Sequence, residues 1–235
     1  VRPVPTEEER RAELLETTRR VYAGYSETGY ALRWSSNSVG TGIAVRRLDA
    51  WLAAALAPAV VGTVVDVGCG SGAFWARLDL KGQRPVRLIG VDILETRLEE
   101  ARRRVPWDEF REASADDLGL PGGSAAAVVA LTLMSSLTED WFRQRVADEV
   151  GRVLTPGGRF VVYDIRFPSP MNRHVRPVGS RSLAALFPGW SMKHGSMTVL
   201  PPLARSVLGA GPRRYAALES LPFLRSHIGA ILIKP

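Results

Sequence analysis

The chain has 235 residues, 46% hydrophobic and 23% charged, which is the profile of a soluble globular chain with a proper core and fits one α/β domain with additions. No apolar run approaches the roughly 18 residues that span a bilayer, and the single cysteine, Cys69, excludes a disulfide framework or a cysteine-based zinc site. The net charge of +7 comes from arginine, with basic residues scattered as pairs and one triplet, Arg102 to Arg104, instead of the dense block that tracks phosphates.

Thr6 with Glu9 three residues later reads as a capping box that opens a helix toward Val21. This charged start does not read as a secretory signal, so a cytoplasmic location is expected. Residues 22–37 are rich in aromatics and hydroxyls, with glycines at 24 and 29 that weaken any regular element. Helix is expected again over 44–57, where Val45, Leu48, Leu52 and Leu56 share one face.

From residue 63 strands and helices alternate. Strands are expected at Thr63–Val67, Val86–Val91, 109–113, Ala125–Leu133 and Arg159–Tyr163, with helices near Leu94–Arg104 and after Thr138. Pro156-Gly157-Gly158 supplies the turn into the fifth strand. The pattern argues for a parallel sheet covered on both faces. Residues 165–189 and 201–224 are less regular and read as substrate-facing additions, since long loops in compact domains usually serve function. A sixth strand is expected at Ser191–Leu200 and a last at His227–Ile233.

The segment Val64-Val-Asp-Val-Gly-Cys-Gly-Ser-Gly-Ala lies where a strand ends and a helix begins. Gly68, Gly70 and Gly72 allow a tight turn and close approach of backbone to ligand. Asp92 ends the second strand, where a carboxylate accepts hydrogen bonds from ribose hydroxyls. The segment also satisfies a dinucleotide fingerprint, which keeps NAD-dependent oxidoreduction open. Asp66 weighs against it: a buried carboxylate there would repel a pyrophosphate and suit a cationic amino acid.

Val64 to Gly72, Val91-Asp92, Ala115-Asp-Asp-Leu and Leu154-Thr-Pro-Gly-Gly together resemble the class I S-adenosylmethionine-dependent methyltransferases, over roughly residues 44–164. The resemblance implies an α/β/α Rossmann-like fold, a seven-stranded sheet whose last strand runs antiparallel. It implies that Asp66 and the loop Gly68, Cys69, Gly70 and Gly72 hold the methionine part of the cofactor, and that Asp92 with Ile93 holds the ribose. Ser114, Ala115 and Asp116 should frame the adenine, with Leu131 passing beside the cofactor. The family often has an aspartate at the position of Ser114; either Ser114 makes a weaker contact or Asp116 takes it over. Flanking segments, Tyr25 to Asn37 among them, look like a bacterial subgroup of glycan and natural-product methyltransferases.

Two parts follow from this reading: residues 1–43 as an N-terminal helix and aromatic lid, and 44–235 as the methyltransferase domain. Tyr22, Tyr25, Tyr30, Trp34 and Asn37 are the lid residues expected at the substrate. His174 is the candidate base, His194 a second that could face the pocket, and Asp164 a carboxylate that orients an imidazole or binds substrate. His227 reads as a strand-end polar residue, and Cys69 as a small filler. Arg33 and Arg173 are candidates for reading an anionic substrate. The expected reaction is methyl transfer to a small molecule, preferably to a hydroxyl, with S-adenosylhomocysteine as product. RNA methylation and a non-catalytic cofactor-binding partner are the alternatives. No metal, nucleic acid or membrane partner is expected, and the chain is read as a monomer or homodimer.

Overall fold

The computed structural model describes residues 5–24, 38–59, 61–77, 87–106, 108–168, 174–206 and 211–235. Of the expected lid and substrate residues, Tyr25, Tyr30, Arg33, Trp34, Asn37 and Arg173 lie outside the described residues.

Helix α1 (Glu7–Ala23) opens with the predicted capping box: the Glu9 amide donates to Thr6 Oγ1, and the Thr6 amide donates to Glu9 Oε2 at 2.7 Å. Helix α2 (Val39–Leu56) starts five residues earlier than its apolar period suggests. Ser38 caps it by accepting the Thr41 amide, so the helix runs through the division expected at residues 43 and 44.

Seven strands follow: β1 (Thr63–Val67), β2 (Arg87–Asp92), β3 (Glu109–Glu112), β4 (Ala125–Leu131), β5 (Leu154–Ile165), β6 (Ser191–Val199) and β7 (Arg225–Ile233). Between them lie α3 (Ala73–Arg77), α4 (Glu95–Arg104), α5 (Asp140–Val153), α6 (Ser180–Leu186), α7 (Pro201–Arg205) and α8 (Pro212–Glu219). The sheet order is β3-β2-β1-β4-β5-β7-β6, and β7 alone runs antiparallel to its neighbours β5 and β6. This is the three-layer, seven-stranded arrangement expected from the sequence.

Two boundaries differ. The N-cap of α5 is Glu139, whose carbonyl accepts the Arg143 amide, while the expected cap, Thr138, gives its carbonyl to Arg176. The Pro156-Gly157-Gly158 turn lies inside β5 as a bulge: the register steps from Ala125↔Leu154 to Ala127↔Arg159.

Alternation of side chains across the sheet sends the core to two sides. Val65, Val128, Phe160, Val162, Ile228 and Leu232 pack under α1, α5 and α6. Val64, Ala127, Val129, Val161 and Tyr163 pack under α2, α3 and α4.

The link from β4 to α5 contains a short 3₁₀ turn, Met134–Ser136, tied down by one buried arginine. Arg143 is 4% exposed and donates to the carbonyls of Leu137, Met134 and Arg176. Burial lowers its pKa from the usual guanidinium value. Arg143→Met should cost about 3 kcal/mol in urea unfolding, because truncating the donor leaves buried carbonyls unsatisfied. A loss below about 0.5 kcal/mol, the range of an ordinary surface change, would refute this fastening role.

Candidate active site

Parallel pairing brings the ends of β1, β2 and β4 together: Asp66 lies opposite Gly90 on one side and Val129 on the other. The chain then turns through Gly68, Gly70 and Gly72, with φ of +73°, +54° and +67°. Such angles are routine only for glycine. The amides of Gly68 and Cys69 both donate to Val91 O, at 2.7 and 3.0 Å, so the turn is pinned to β2. A Cβ at Gly70 would meet nothing within 4 Å, which leaves open space on that side of the loop. Gly68 faces Leu133 of the link after β4, whose Cδ1 would lie 3.0 Å from such a Cβ.

Asp92 locks the loop from β2. Its Oδ2 accepts the Gly70 amide at 2.8 Å and its Oδ1 accepts the Leu94 amide at 3.0 Å. Burial pushes its pKa up, opposed by those backbone donors. The turn that should frame the adenine stands next to it, since the Ala113 amide donates to Asp92 O at 3.1 Å.

Asp66 is 2% exposed. Its Oδ2 accepts the indole N–H of Trp75 at 2.6 Å, whereas its buried Oδ1 has no hydrogen-bond partner. Burial pushes the carboxyl up to about 7 despite that bond. A half-satisfied buried carboxylate is costly by itself and calls for a cationic or hydrogen-bonding ligand. The orphaned oxygen, the open glycine turn and Asp92 therefore fit S-adenosylmethionine, whose amino group is cationic and whose ribose offers two hydroxyls. Trp75 was not singled out from the sequence, because its value lies in the bond to Asp66 across the turn.

Cys69 is buried and packs beside Gly90, and burial pushes its thiol well above the ordinary value. It is a filler and not a nucleophile. Ile93, Ala115 and Leu131 are partly buried beside the core at the ends of their strands and turns.

Asp116 is committed elsewhere. Arg11 of α1 grips it with two bonds of 2.6 and 2.9 Å, Arg145 of α5 adds a third at 3.0 Å, and Ser114 Oγ donates a fourth. Burial would raise this carboxyl, but the donors outweigh it and hold it below the usual range. The sequence reading missed this clasp, whose residues lie 105 and 29 positions apart. A second contact, Arg19 Nε to Ile93 O at 3.4 Å, lays α1 across the end of β2. Tyr22 sits in the last turn of that helix.

The candidate catalytic residues separate. Asp164 is fully buried on the α5 face, where Oδ2 accepts the Ser135 amide at 3.0 Å and Oδ1 accepts the Ile165 amide at 2.8 Å. Burial pushes it up to about 6 against these bonds. Alternation aims Asp164 away from Tyr163 and into the link after β4. His194 is also displaced. Its register, opposite Ala230, puts it mid-strand and exposed on the sheet's edge strand, short of the carboxyl ends. His174 is exposed and lies two residues before Arg176, whose amide donates to Ser135 O at 2.8 Å, so it stays near the ends of β4 and β5.

Residues 64–158 match the family model described as a methyltransferase domain. A probable S-adenosylmethionine-dependent methyltransferase of Mycolicibacterium smegmatis is 31% identical over 52% of this chain and 46% of its own length. The 27-O-demethylrifamycin SV methyltransferase of Amycolatopsis mediterranei is 29% identical over 65% and 59%. The chain spans about half the length of the curated relatives it matches. Among solved structures, the N-methyltransferase NodS of Bradyrhizobium japonicum, in complex with S-adenosyl-L-homocysteine, superposes with a TM-score of 0.66 at 14% identity, over 94% of this chain and 98% of that one.

Asp66 gives the site a pH signature. Its pKa is raised on folding, so the empty protein binds a proton that the unfolded chain releases, and stability is lost as pH rises from about 4 to about 7. Asp66→Asn removes the buried charge, so its melting temperature should exceed that of the wild type at pH 8, with the gap closing by pH 5. The same change should weaken cofactor binding at pH 7.5. Equal melting temperatures at pH 8 would refute the buried-charge assignment.

Residues 64–158 thus match the model of a methyltransferase domain, the chain has the seven-stranded fold seen in the solved N-methyltransferase, and S-adenosylmethionine is the cofactor that its residues fit.

Proposed function

We propose that the protein transfers the methyl group of S-adenosylmethionine to a small molecule, preferably to a hydroxyl. The observation that carries this reading is the buried, unpartnered Oδ1 of Asp66 at an open glycine turn, with Asp92 beside it. Asp66 and the Gly68–Gly72 loop would hold the methionine part, Asp92 and Ile93 the ribose, and Ser114 and Ala115 the adenine side. Asp116, already gripped by two arginines, would fix that turn instead of reading the base. The bound cofactor supplies an already activated methyl, so the chain's task is to align the nucleophile and exclude water.

A small acceptor is favoured by how the arginines are spent. Arg11 and Arg145 pair with Asp116, Arg102 with Glu95, Arg152 with Glu149 and Arg176 with Asp140. These five arginines are each drawn to a carboxylate, which interleaves the two signs instead of leaving an uninterrupted basic stretch. Several curated relatives are named for small-molecule substrates, including the rifamycin enzyme and the demethylmenaquinone methyltransferase of Clavibacter sepedonicus. Segments 165–189 and 201–224 would shape the acceptor pocket, with Tyr22 at its rim and the 25–37 segment as a lid. His174, near the ends of β4 and β5, is the exposed candidate base.

Calorimetric titration with S-adenosylmethionine, S-adenosylhomocysteine and NADH tests the cofactor. Both sulfur ligands should bind, NADH should not, and Asp92→Ala should weaken binding at least tenfold, the equivalent of about 1.4 kcal/mol. Binding of NADH alone would mean that the glycine turn serves a dinucleotide. RNA methylation would show itself separately, as binding to RNA that falls steeply with salt; no such steep dependence is expected.

A further inference from the structure

The net charge is not spread evenly along the chain. Residues 1–164 hold 21 basic and 23 acidic side chains, whereas residues 165–235 hold ten basic and one acidic, Glu219. The whole excess therefore arises in the last part, which carries both irregular segments. Four of the five arginines paired above with carboxylates belong to the first part. Glu219 is itself answered by Arg47 of α2, and Asp164, just before this stretch, is fully buried. Such asymmetry between parts of one chain points to an anionic partner.

The same part gathers exposed apolar side chains. Five large hydrophobic residues among those described are exposed, and three stand together: Phe223 at 67%, Phe167 at 41% and Leu221 at 40%. They meet at the rim where β5 ends and β7 begins, where the Arg166 amide donates to Ser226 O at 2.9 Å. Arg166 joins the pieces. Its guanidinium lies over the Phe167 ring, 5.1 Å from the centroid, and donates to Pro222 O at 3.3 Å and Arg225 O at 3.0 Å. Pro222 opens the 3₁₀ turn Pro222–Leu224, so Leu221 and Phe223 flank the carbonyl that Arg166 holds. An exposed apolar cluster of this kind marks an interaction surface.

Charge of one sign surrounds the cluster. Arg166 spends its bonds on carbonyls, and Arg225 does the same through Glu219 O and Ser196 O. A carbonyl satisfies a guanidinium donor without cancelling its charge. Arg205 of α7 and Arg213 of α8 are exposed on the two short helices that adjoin the turn. The Leu200 amide, just before α7, donates to Leu224 O at 2.8 Å, and α8 runs directly into Ser220 and Leu221. A second copy of the chain would bring two basic faces together, which opposes pairing through this rim. A nucleic acid would use the arginines and leave Leu221, which has no π face, without a partner. An anionic bilayer answers both features, with apolar side chains among the acyl chains and guanidinium groups at the phosphates.

We propose that the rim of Phe167, Leu221 and Phe223, with Arg166 and Arg225, docks the protein on the surface of an anionic phospholipid bilayer. No helix among the described residues is long and apolar enough to cross a membrane. The expectation of no membrane partner rests on the lack of a spanning run, and surface docking needs none. Docked this way, the carboxyl end of β5 meets the lipid. An acceptor dissolved in the bilayer then has a short path to the site, a consequence that rests on the methyl-transfer reading above.

Flotation of the full chain with phosphatidylcholine vesicles, with and without about 30% phosphatidylglycerol, tests the docking. The chain should rise with the anionic vesicles and stay behind with the neutral ones. F223S should melt as the wild type does, because the ring it removes is exposed, yet bind anionic vesicles about tenfold more weakly. L221S combined with F223S should weaken binding further. In F223W the added indole should be quenched by bromine placed on the acyl chains, because the side chain at that position enters the lipid. Equal flotation with both vesicles, undiminished binding by the double variant, or an indole that acyl bromine leaves unquenched would each overturn the proposal. Capture by RNA without flotation would overturn it as well and assign the charge to nucleic acid. Flotation needs no cofactor, so failure to bind S-adenosylmethionine would sink the methyl-transfer reading and leave the docking standing, and failure to float would do the reverse.

Discussion

A carboxylate buried at the end of a central strand and satisfied through only one oxygen is the constraint around which this site is arranged. Asp66 sits between β2 and β4, where parallel pairing removes it from water on both sides. Trp75 meets one oxygen, and the helix carrying that indole begins directly after the glycine turn. The turn is itself pinned to β2 by two amides on Val91 O and one on Asp92. A buried carboxylate oxygen without a hydrogen-bond partner is a cost that the rest of the fold absorbs.

The period-two alternation of β5 then divides the chemistry between two faces. Tyr163 and Ile165 lie on the α2 side, with His227 in register beside them, while Asp164 faces α5. One residue of displacement along β5 decides whether a carboxylate faces α2 or is locked beneath the link after β4. Asp164 and Arg143 hold the link after β4 from below, and Leu133 on that link closes against Gly68. The buried ionic groups on the α5 side therefore act on the site through the backbone they fasten.

Much of the fold was legible because it is written locally. The glycine turn, the strand before it and Asp92 after it occupy a fixed sequence spacing, and the capping box at Thr6 and Glu9 spans four residues. The α2 start was misplaced because Ser38 overrides the apolar period with a cap. What the sequence hid was long-range or depended on register. Nothing local marks Arg11 and Arg145 as partners of Asp116, or Trp75 as the partner of Asp66. His194 and His227 each stand in a strand, and only the pairing with Ala230 or with Ile165 tells which one reaches the carboxyl end.

The arginine excess illustrates the same limit from the side of charge. Arg143 spends its donors on three carbonyls, Arg152 joins Glu149 to Leu120 O, and Arg225 closes on Glu219 O and Ser196 O. Five planar donors let one guanidinium bind several backbone oxygens at once, which lysine cannot match. Arginine in this chain is therefore to a large extent a backbone fastener, placed where helices and links turn away from the sheet. Net charge counts these residues as though they faced solvent. A formal +7 accordingly counts the side chains that tie down irregular segments together with those that face solvent, while the glycine turn itself is flanked by two aspartates, Asp66 and Asp92.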